Sequence, residues 1–386
     1  MSSAWNKALL AGACTKIGSG STPRGGDSVY QTSGVSFIRS QNVYNGAFSV
    51  GGLTFLDDGQ AEQLRGVTVL EGDVLLNITG DSVARCCTVP VEVLPARVNQ
   101  HVAIIRPAAD KFDPRFLGYF LISPFMQETM LSLAASGGTR KALTKEMIER
   151  FEIPQPSIET QKRISGILRG YDDLIENNRR RMALLEDSAR QLYREWFVRL
   201  RFPGHEHTPI VDGVPQGWER APLESALVLQ RGFDLPTQDR QDGNVPIYGS
   251  TGILGYHDKA KAVAPGVVTG RSGTLGEVTY VDEDYWPLNT SLWVKEFKRV
   301  TPLFALFLLR EMDLKQFNGG ASVPTLDRKS VHRVDVLIPA DTMLRAFDKF
   351  AADAFAQVKK LESQNQKLRQ ARDLLLPRLM NGELAV

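Results

Sequence analysis

Two stretches of the chain carry a narrow apolar stripe with helical spacing. Over 158–198, apolar or small residues fall at Ile164, Ile167, Tyr171, Leu174, Met182, Leu185, Ala189, Leu192 and Trp196. Steps of three and four alternate except near Asn178, where two steps of four follow one another, the mark of a stutter in a coiled coil. Over 341–380 the stripe is Leu344, Phe347, Ala351, Phe355, Val358, Leu361, Leu368, Leu375 and Leu379. Pro154 and Pro156 block an earlier start of the first helix, and Ser157 is placed to cap it. Phe202-Pro203-Gly204 ends the first and Asn381-Gly382 the second. Short runs rich in β-branched and aromatic residues predict strands at Val35–Ile38, Val74–Asn77, 102–105, 267–268 and 292–294. A shorter helix is predicted at 114–133 and again at 302–314, ahead of each long one.

These signals recur in order, which marks an internal repeat. Trp5 and Pro23 are echoed by Trp218 and Pro236 at the same separation. Gly72-Asp73-Val74 returns as Gly266-Val267-Val268, Asn99-Gln100-His101 as Asn289-Thr290-Ser291, and Ser136-Gly137-Gly138 as Asn318-Gly319-Gly320. Leu143 answers to Leu326, Ile153-Pro154 to Ile338-Pro339, and Ala189-Arg190-Gln191-Leu192 to Ala371-Arg372-Asp373-Leu374. The offset shrinks along the chain, so the second copy is shorter by loop deletions. The expected fold is α+β: two tandem strand-rich domains, each followed by a long helix. The helices are expected to pair as an antiparallel coiled coil with pseudo-twofold symmetry. The seam residues are Ile164, Tyr171, Leu174, Leu185, Leu192, Phe355, Leu361, Leu368 and Leu375. The expected boundaries are 1–156, a helix over 157–201, a linker over 202–217, a second domain over 218–340, a helix over 341–380 and a tail over 381–386. Asn178 and Asn365 either fix the helix register as polar insertions or face solvent.

Composition narrows the function classes. The chain has 386 residues, 42% hydrophobic and 23% charged, which is globular and too long for one ordinary domain. No apolar run reaches the roughly 18 residues of a membrane helix. Met1-Ser2-Ser3-Ala4-Trp5 lacks a basic stretch followed by an apolar core, so no signal peptide is expected. Three cysteines, two adjacent at Cys86 and Cys87 and one at Cys14, fit neither a disulfide framework nor a zinc site; a reducing cytoplasm is expected. His205-Glu206-His207 sits in a Pro/Gly linker with no third ligand nearby, so no metal is expected. Gly18 and Gly20 are not followed by the Gly-Lys-Ser/Thr of a phosphate-binding loop. The net charge is +2, far less basic than a lone nucleic-acid module, so charge alone does not argue for DNA.

Several segments carry a resemblance. They are Ser19-Gly20-Ser21-Thr22-Pro23 after an initial Trp, Phe37-Ile38-Arg39-Ser40-Gln41-Asn42-Val43, Gly72-Asp73-Val74-Leu75, and Ile153-Pro154 with Pro156 and Gln161. Further carriers are Leu174-Ile175-Glu176-Asn177-Asn178, Leu192-Tyr193-Arg194-Glu195-Trp196-Phe197, Val214-Pro215-Gln216-Gly217-Trp218, and the ending from Leu374 to Leu384. In this order and duplicated, they resemble the specificity subunit of a type I restriction–modification system along essentially the whole chain. The second copy departs with Arg231-Gly232-Phe233-Asp234-Leu235-Pro236, and Gln161 has no clear counterpart near Leu344. The resemblance implies a DNA-recognition subunit without catalysis or cofactor of its own. Each strand-rich domain would be a target-recognition domain for half of a bipartite, asymmetric site in double-stranded DNA. The helices would be spacers and docking surfaces for two methyltransferase subunits and, through them, restriction/translocase subunits, with the methyl donor and ATP held by those partners.

Candidate DNA contacts follow from side-chain chemistry. Ser19, Ser21, Thr22 and Arg24 lie in a small-residue loop suited to phosphates. Arg39, Gln41 and Asn42 follow a strand and are of types that make bidentate base contacts. Thr139, Arg140 and Lys141 follow a glycine pair. In the second copy Arg231, Tyr248, Ser250, Thr251, Arg271, Ser272 and Thr274 occupy comparable loops, with Arg271 the strongest candidate. Arg179-Arg180-Arg181 reads as a solvated helix face or a contact to phosphate or an acidic partner. Two other functions compete. A methyltransferase needs an Asn/Asp-Pro-Pro-aromatic motif, which the chain lacks. A coiled-coil scaffold that binds proteins alone remains the alternative.

Overall fold

The computed structural model describes residues 5–136, 141–320, 322–384 and 386. The chain divides into two compact units: Met1–Asn177 with Gln364–Val386, and Asn178–Ser363. The long helices, Ile158–Tyr193 and Asp341–Met380, each contribute a segment to both units.

The first unit contains two four-stranded sheets. One runs Cys14–Ser19, Val102–Pro107, Val74–Asn77, Cys86–Thr88 in spatial order, antiparallel throughout. The other runs Thr54–Leu56, Val35–Ile38, Ala96–Val98, Thr68–Val69, with the middle pair parallel. Both faces of the first sheet are buried, which explains its continuous apolar runs. Leu75, Cys87, Val102 and Ile104 share one core with Ile38, Ala96 and Val98 of the second sheet. Val74, Leu76, Cys86, Ala103 and Ile105 turn the other way, onto helical residues including Phe116, Leu117, Met130, Ile164 and Leu168. The adjacent cysteines thus point into different cores by simple strand alternation.

The buried entrance to Val74–Asn77 is held by charge. Asp73 is fully buried and takes the Arg106 guanidinium on both oxygens, at 2.7 and 2.8 Å, while accepting the Leu70 N–H at 2.7 Å. In the second unit Gly266, at the start of the corresponding strand Gly266–Gly270, takes the place of Asp73 and brings no carboxylate.

The second unit repeats this topology. Its antiparallel sheet runs Leu227–Arg231, Ser291–Phe297, Gly266–Gly270, Val278–Val281. A smaller sheet runs Gly252–His257, Val245–Gly249, Trp286–Pro287, again with a parallel pair. The helix after the last strand begins at a capped proline in both copies. Asp113 caps Pro114–Leu121 and Thr301 caps Pro302–Glu311. The single helix predicted at 114–133 is two, Pro114–Leu121 and Pro124–Ala135. Pro124 cannot continue a helix, and the residue before it, Ser123, is extended.

The helix seam differs from the predicted one. Leu168 and Ile175 are buried, whereas Ile167 is 41% and Leu174 is 52% exposed. The seam therefore passes through Gln161, Ile164, Leu168, Tyr171, Ile175, Asn178, Met182, Leu185 and Ala189 with strict three–four alternation and no stutter at Asn178. Three successive steps of four do occur, but later, from Leu185 through Ala189 to the buried Tyr193 and Phe197, running into a π-helical turn over Arg194–Val198. Leu192 and Trp196 pack against the core beside them. The helix ends there, before the predicted 201, with Leu200 in a left-handed conformation. Asn178 and Asn365 are both buried rather than solvent-facing.

Within each unit the two helix segments meet in antiparallel order. In the first, Ile164 and Leu168 share a core with Leu376 and Leu379, and Leu375 packs against it. Asn365 there donates to the Ile175 carbonyl at 3.2 Å, and Arg372 to Asp172 at 2.5 Å. Asp172 also accepts from the Tyr119 hydroxyl at 2.5 Å, and burial followed by this bond raises the phenol's pKa. In the second unit Tyr193 and Phe197 lie 5.9 and 5.4 Å from the Phe347 ring, and Phe355 lies 6.1 Å from Phe307. Leu361 of this unit is buried, and Leu368, in the first unit's segment, is half-buried.

The helix starts are anchored differently. Gln161 is fully buried, accepts the Asp113 N–H at 2.8 Å and donates to the Lys111 and Pro156 carbonyls. The second helix has apolar Leu344 near its start and ties itself to the Thr301 hydroxyl through Asp348 at 2.7 Å.

Candidate nucleic-acid interface

Five chain segments of the first unit converge at one end of its sheets. Gly20, just after the strand Cys14–Ser19, donates to the Val102 carbonyl at 2.9 Å, and Ser21 to Val98 at 3.0 Å. Asn99 donates to Ile38 and Ile78 to His101, both at 3.0 Å. Leu143 donates to Ile78 at 2.9 Å and Gly80 to Lys141 at 3.1 Å. The loops after Ser19, Ile38, Asn77 and Val98 are thereby stitched to the segment at 141–143. The first long helix anchors through Gln161 near Asp113, past the other end of the strand Val102–Pro107.

The second unit repeats the stitching bond for bond. Gly232 donates to Ser291 and Phe233 to Pro287. Leu288 donates to Tyr248, Arg271 to Thr290, Leu326 to Arg271 and Gly273 to Pro324. This register fixes equivalences without reference to side chains. Arg39-Ser40-Gln41 corresponds to Gly249-Ser250-Thr251, and Ile78-Thr79-Gly80-Asp81 to Arg271-Ser272-Gly273-Thr274. Gly20 and Gly232 are required by close approach. A Cβ on Gly20 would lie 2.1 Å from the Val98 carbonyl oxygen, and one on Gly232 would lie 2.2 Å from that of Leu288. The glycine common to Ser-Gly-Ser-Thr-Pro and its divergent second copy is thus the element the architecture needs.

Most sequence-selected residues lie at these ends, with different availability. Ser19, Ser21, Arg24, Gln41 and Lys141 are exposed and Thr22 is half-buried. Arg39 is pinned: it donates to the Gly52 carbonyl at 2.8 Å and stacks 5.3 Å from the Tyr30 ring. Gln41 donates to the same carbonyl at 3.0 Å. Asn42 is corrected: it is fully buried, and its amide accepts from Arg39 N–H and donates to the Ser49 and Gly51 carbonyls, which removes it from the contact surface. Thr139 and Arg140 lie outside the described residues.

In the second unit Arg231, Thr251 and Thr274 are exposed, and Ser250, Arg271 and Ser272 half-buried. Arg271 donates to the Asn289 carbonyl at 3.1 Å, and Arg231 lies 3.3 Å from Asp234. Tyr248 is corrected: it is 7% exposed, packs 5.8 Å from the Tyr285 ring, and burial pushes its phenol up to about 12. Leu174, being exposed, is removed from helix pairing.

Sequence reasoning missed the first-unit loop Thr79–Ser82, where Thr79 meets His101 Nδ1 at 2.6 Å. Its signal was the repeat itself, since it answers to the segment Ser272–Leu275 that follows Arg271. Arg328 and Lys329 were also missed. They line a cleft of about 510 Å³ with Arg231 and Arg271. On the first long helix, Arg179, Arg180 and Arg181 are exposed. His205 bonds the Phe202 carbonyl and lies 3.4 Å from Glu206. Among the described residues no cluster of three His, Cys, Asp or Glu is suited to a metal, and no helix is long and apolar enough to cross a membrane.

Residues 5–187 match the family model of the type I restriction modification DNA specificity domain. The type I restriction enzyme MjaIX specificity subunit of Methanocaldococcus jannaschii is 24% identical over 330 residues, covering 76% of this chain and 74% of its own. The HindI specificity subunit of Haemophilus influenzae is 21% identical, covering 91% and 94%. The fold is that of the solved S subunit of a type I restriction–modification system from M. genitalium, at a TM-score of 0.59 and 16% identity over 97% and 96% of the two chains. Residues 5–187 thus match the type I restriction modification DNA specificity domain, and the chain is similar to the specificity subunits of type I restriction enzymes along most of its length.

Proposed function

We propose that the chain is the sequence-reading component of a type I restriction–modification complex, each unit's loop end reading one half of a bipartite DNA site. One observation carries this reading. The same backbone bonds hold the same loops at the same sheet end in both units, while the side chains there differ in chemistry. A repeated frame with unlike residues suits two half-sites of unlike sequence, as a symmetric dimer suits a palindrome. Ser19, Ser21, Thr22, Arg24, Gln41 and Lys141 serve one half; Arg231, Ser250, Thr251, Arg271, Ser272 and Thr274 serve the other. The chain supplies no catalysis. Two methyltransferase subunits dock on it and bring restriction subunits with them, and the exposed Leu174 and Ile167 are available to such partners because they are not spent in the seam.

The long helices take the spacer role, paired as a coiled coil. Four residues inserted in each add roughly 6 Å, about two base-pair rises of ~3.4 Å. The complex is tested on duplexes with either half-site scrambled. Loss of affinity for both supports the reading; equal affinity for every duplex favours the protein-binding scaffold instead.

A further inference from the structure

The cleft at the loop end of the second unit is walled by four cations, Arg231, Arg271, Arg328 and Lys329, drawn from segments far apart in sequence. Asp327 is the carboxylate among its lining residues. It is turned onto its own chain, accepting the Lys329 N–H at 3.0 Å and the Ser330 hydroxyl at 2.5 Å. Arg231 pairs with Asp234 at 3.3 Å, but both side chains are more than half exposed, and such pairs are worth little.

Two of the guanidinium groups are preset. Arg271 donates to the Asn289 carbonyl at 3.1 Å and Arg328 to the Leu229 carbonyl at 3.4 Å. A guanidinium has five N–H donors, so each is oriented by the backbone at the cost of one. An anion entering the cleft meets forks already aimed, with little side-chain entropy left to lose.

The first unit is built otherwise at this position. The register through Leu143 and Leu326 aligns Lys145, Glu146 and Glu149 with Arg328, Lys329 and His332. Lys145 there lies 3.5 Å from Glu149, and Glu146 adds a second carboxylate. A doubly positive rim in one unit is thus net negative in the other.

We propose that this cleft is a clamp for the phosphate backbone of duplex DNA, carried by the second reader and not by the matching position of the first. The proposal rests on the DNA reading above and adds a division of labour. Arg328 and Lys329 grip without regard to sequence, beside an Arg271 that reads it.

The test measures affinity against salt concentration for the whole chain bound to its methyltransferase partners. Two duplexes are used, one carrying the methylated sequence and one with both half-sites scrambled. Each phosphate contact contributes about 0.9 to the slope of log affinity against log salt. The double variant Arg328→Gln with Lys329→Gln is expected to lower the slope by about 1.8 on both duplexes and leave their affinity ratio unchanged. The charge-keeping variant Arg328→Lys with Lys329→Arg should hold the original slope, which separates lost charge from lost folding. An unchanged slope in the Gln variant, with sequence preference intact, overturns the clamp but not the DNA reading. A shift in preferred sequence also overturns it, since a clamp carries no sequence information. Absence of any preference in the unsubstituted complex overturns the reading and the clamp with it.

Discussion

At their loop ends the two units share backbone and differ in side chains. Gly20 and Gly232 sit under the same carbonyls, and the bonds from Ile78 and Arg271 have the same partners in the register. Yet Ile78 is buried where Arg271 is half-exposed, and Glu146 stands where the second unit has Lys329. The difference teaches how such a repeat diversifies. The backbone bonds persist although the residues that make them change, as at Ile78 and Arg271 or Ser21 and Phe233, and glycine is kept at Gly20 and Gly232, where a Cβ would strike a carbonyl.

The scaffold side of this comparison gives the largest expected effects. Ile175→Asp places an unpaired charge in the buried seam of the first unit and should cost about 3–5 kcal/mol. Leu174→Asp, one residue away and exposed, should stay within about 0.5 kcal/mol. Chemical denaturation of the two variants compares them, and equal costs would move the seam. Next come Gly20→Ala and Gly232→Ala. Each drives a methyl into a carbonyl, and each should destabilise by about 3 kcal/mol, overpacking against backbone that cannot yield. A melt showing one tolerated and the other not would break the equivalence of the two ends.

The reading side is smaller. Arg271→Ala should weaken binding to the cognate duplex by ~1–3 kcal/mol and relax preference in one half-site only. Competition among duplexes varied at each position reports this, and an unchanged preference removes Arg271 from the readers. Smallest is an effect of pH confined to the second unit. His332 is buried and accepts the Leu229 N–H on Nε2 at 2.9 Å. Burial lowers its pKa from 6.5, with Glu224 opposing and Arg328 and Lys298 reinforcing the shift. As pH falls below about 6.5 the unfolded chain takes up the proton first, so stability declines; above that value the contribution is complete. Melting temperatures at pH 7.5 and 5.5 should differ more for the native chain than for His332→Gln. An equal difference would deny His332 this role.

Much of the fold was legible from the sequence. The strand Val74–Asn77 is apolar at three successive residues, Val74, Leu75 and Leu76, because both faces of its sheet are buried, and the repeat is visible at Leu143 and Leu326. The seam was read one residue off at Ile167 and Leu174. Ile167-Leu168 and Leu174-Ile175 are both apolar doublets, and a stripe cannot tell which member faces inward. The site was less legible. Asn42 and Gln41 are alike as side chains, but one amide is consumed by Ser49 and Gly51 inside the turn. Tyr248 ends a strand, as a contact residue would, yet its ring fills a core with Tyr285. Arg328 and Lys329 join Arg231 only through folding, so no local pattern announces them.

In the proposed function each loop end governs one half-site. Its most direct test maps methylated positions in DNA from cells carrying the system with residues Arg271, Ser272 and Thr274 exchanged for Ile, Thr and Asp, their first-unit counterparts. One half of the methylated sequence is expected to change or relax, while the other half and the spacing persist. Alteration of both halves, or of neither in a complex that still methylates, would contradict it.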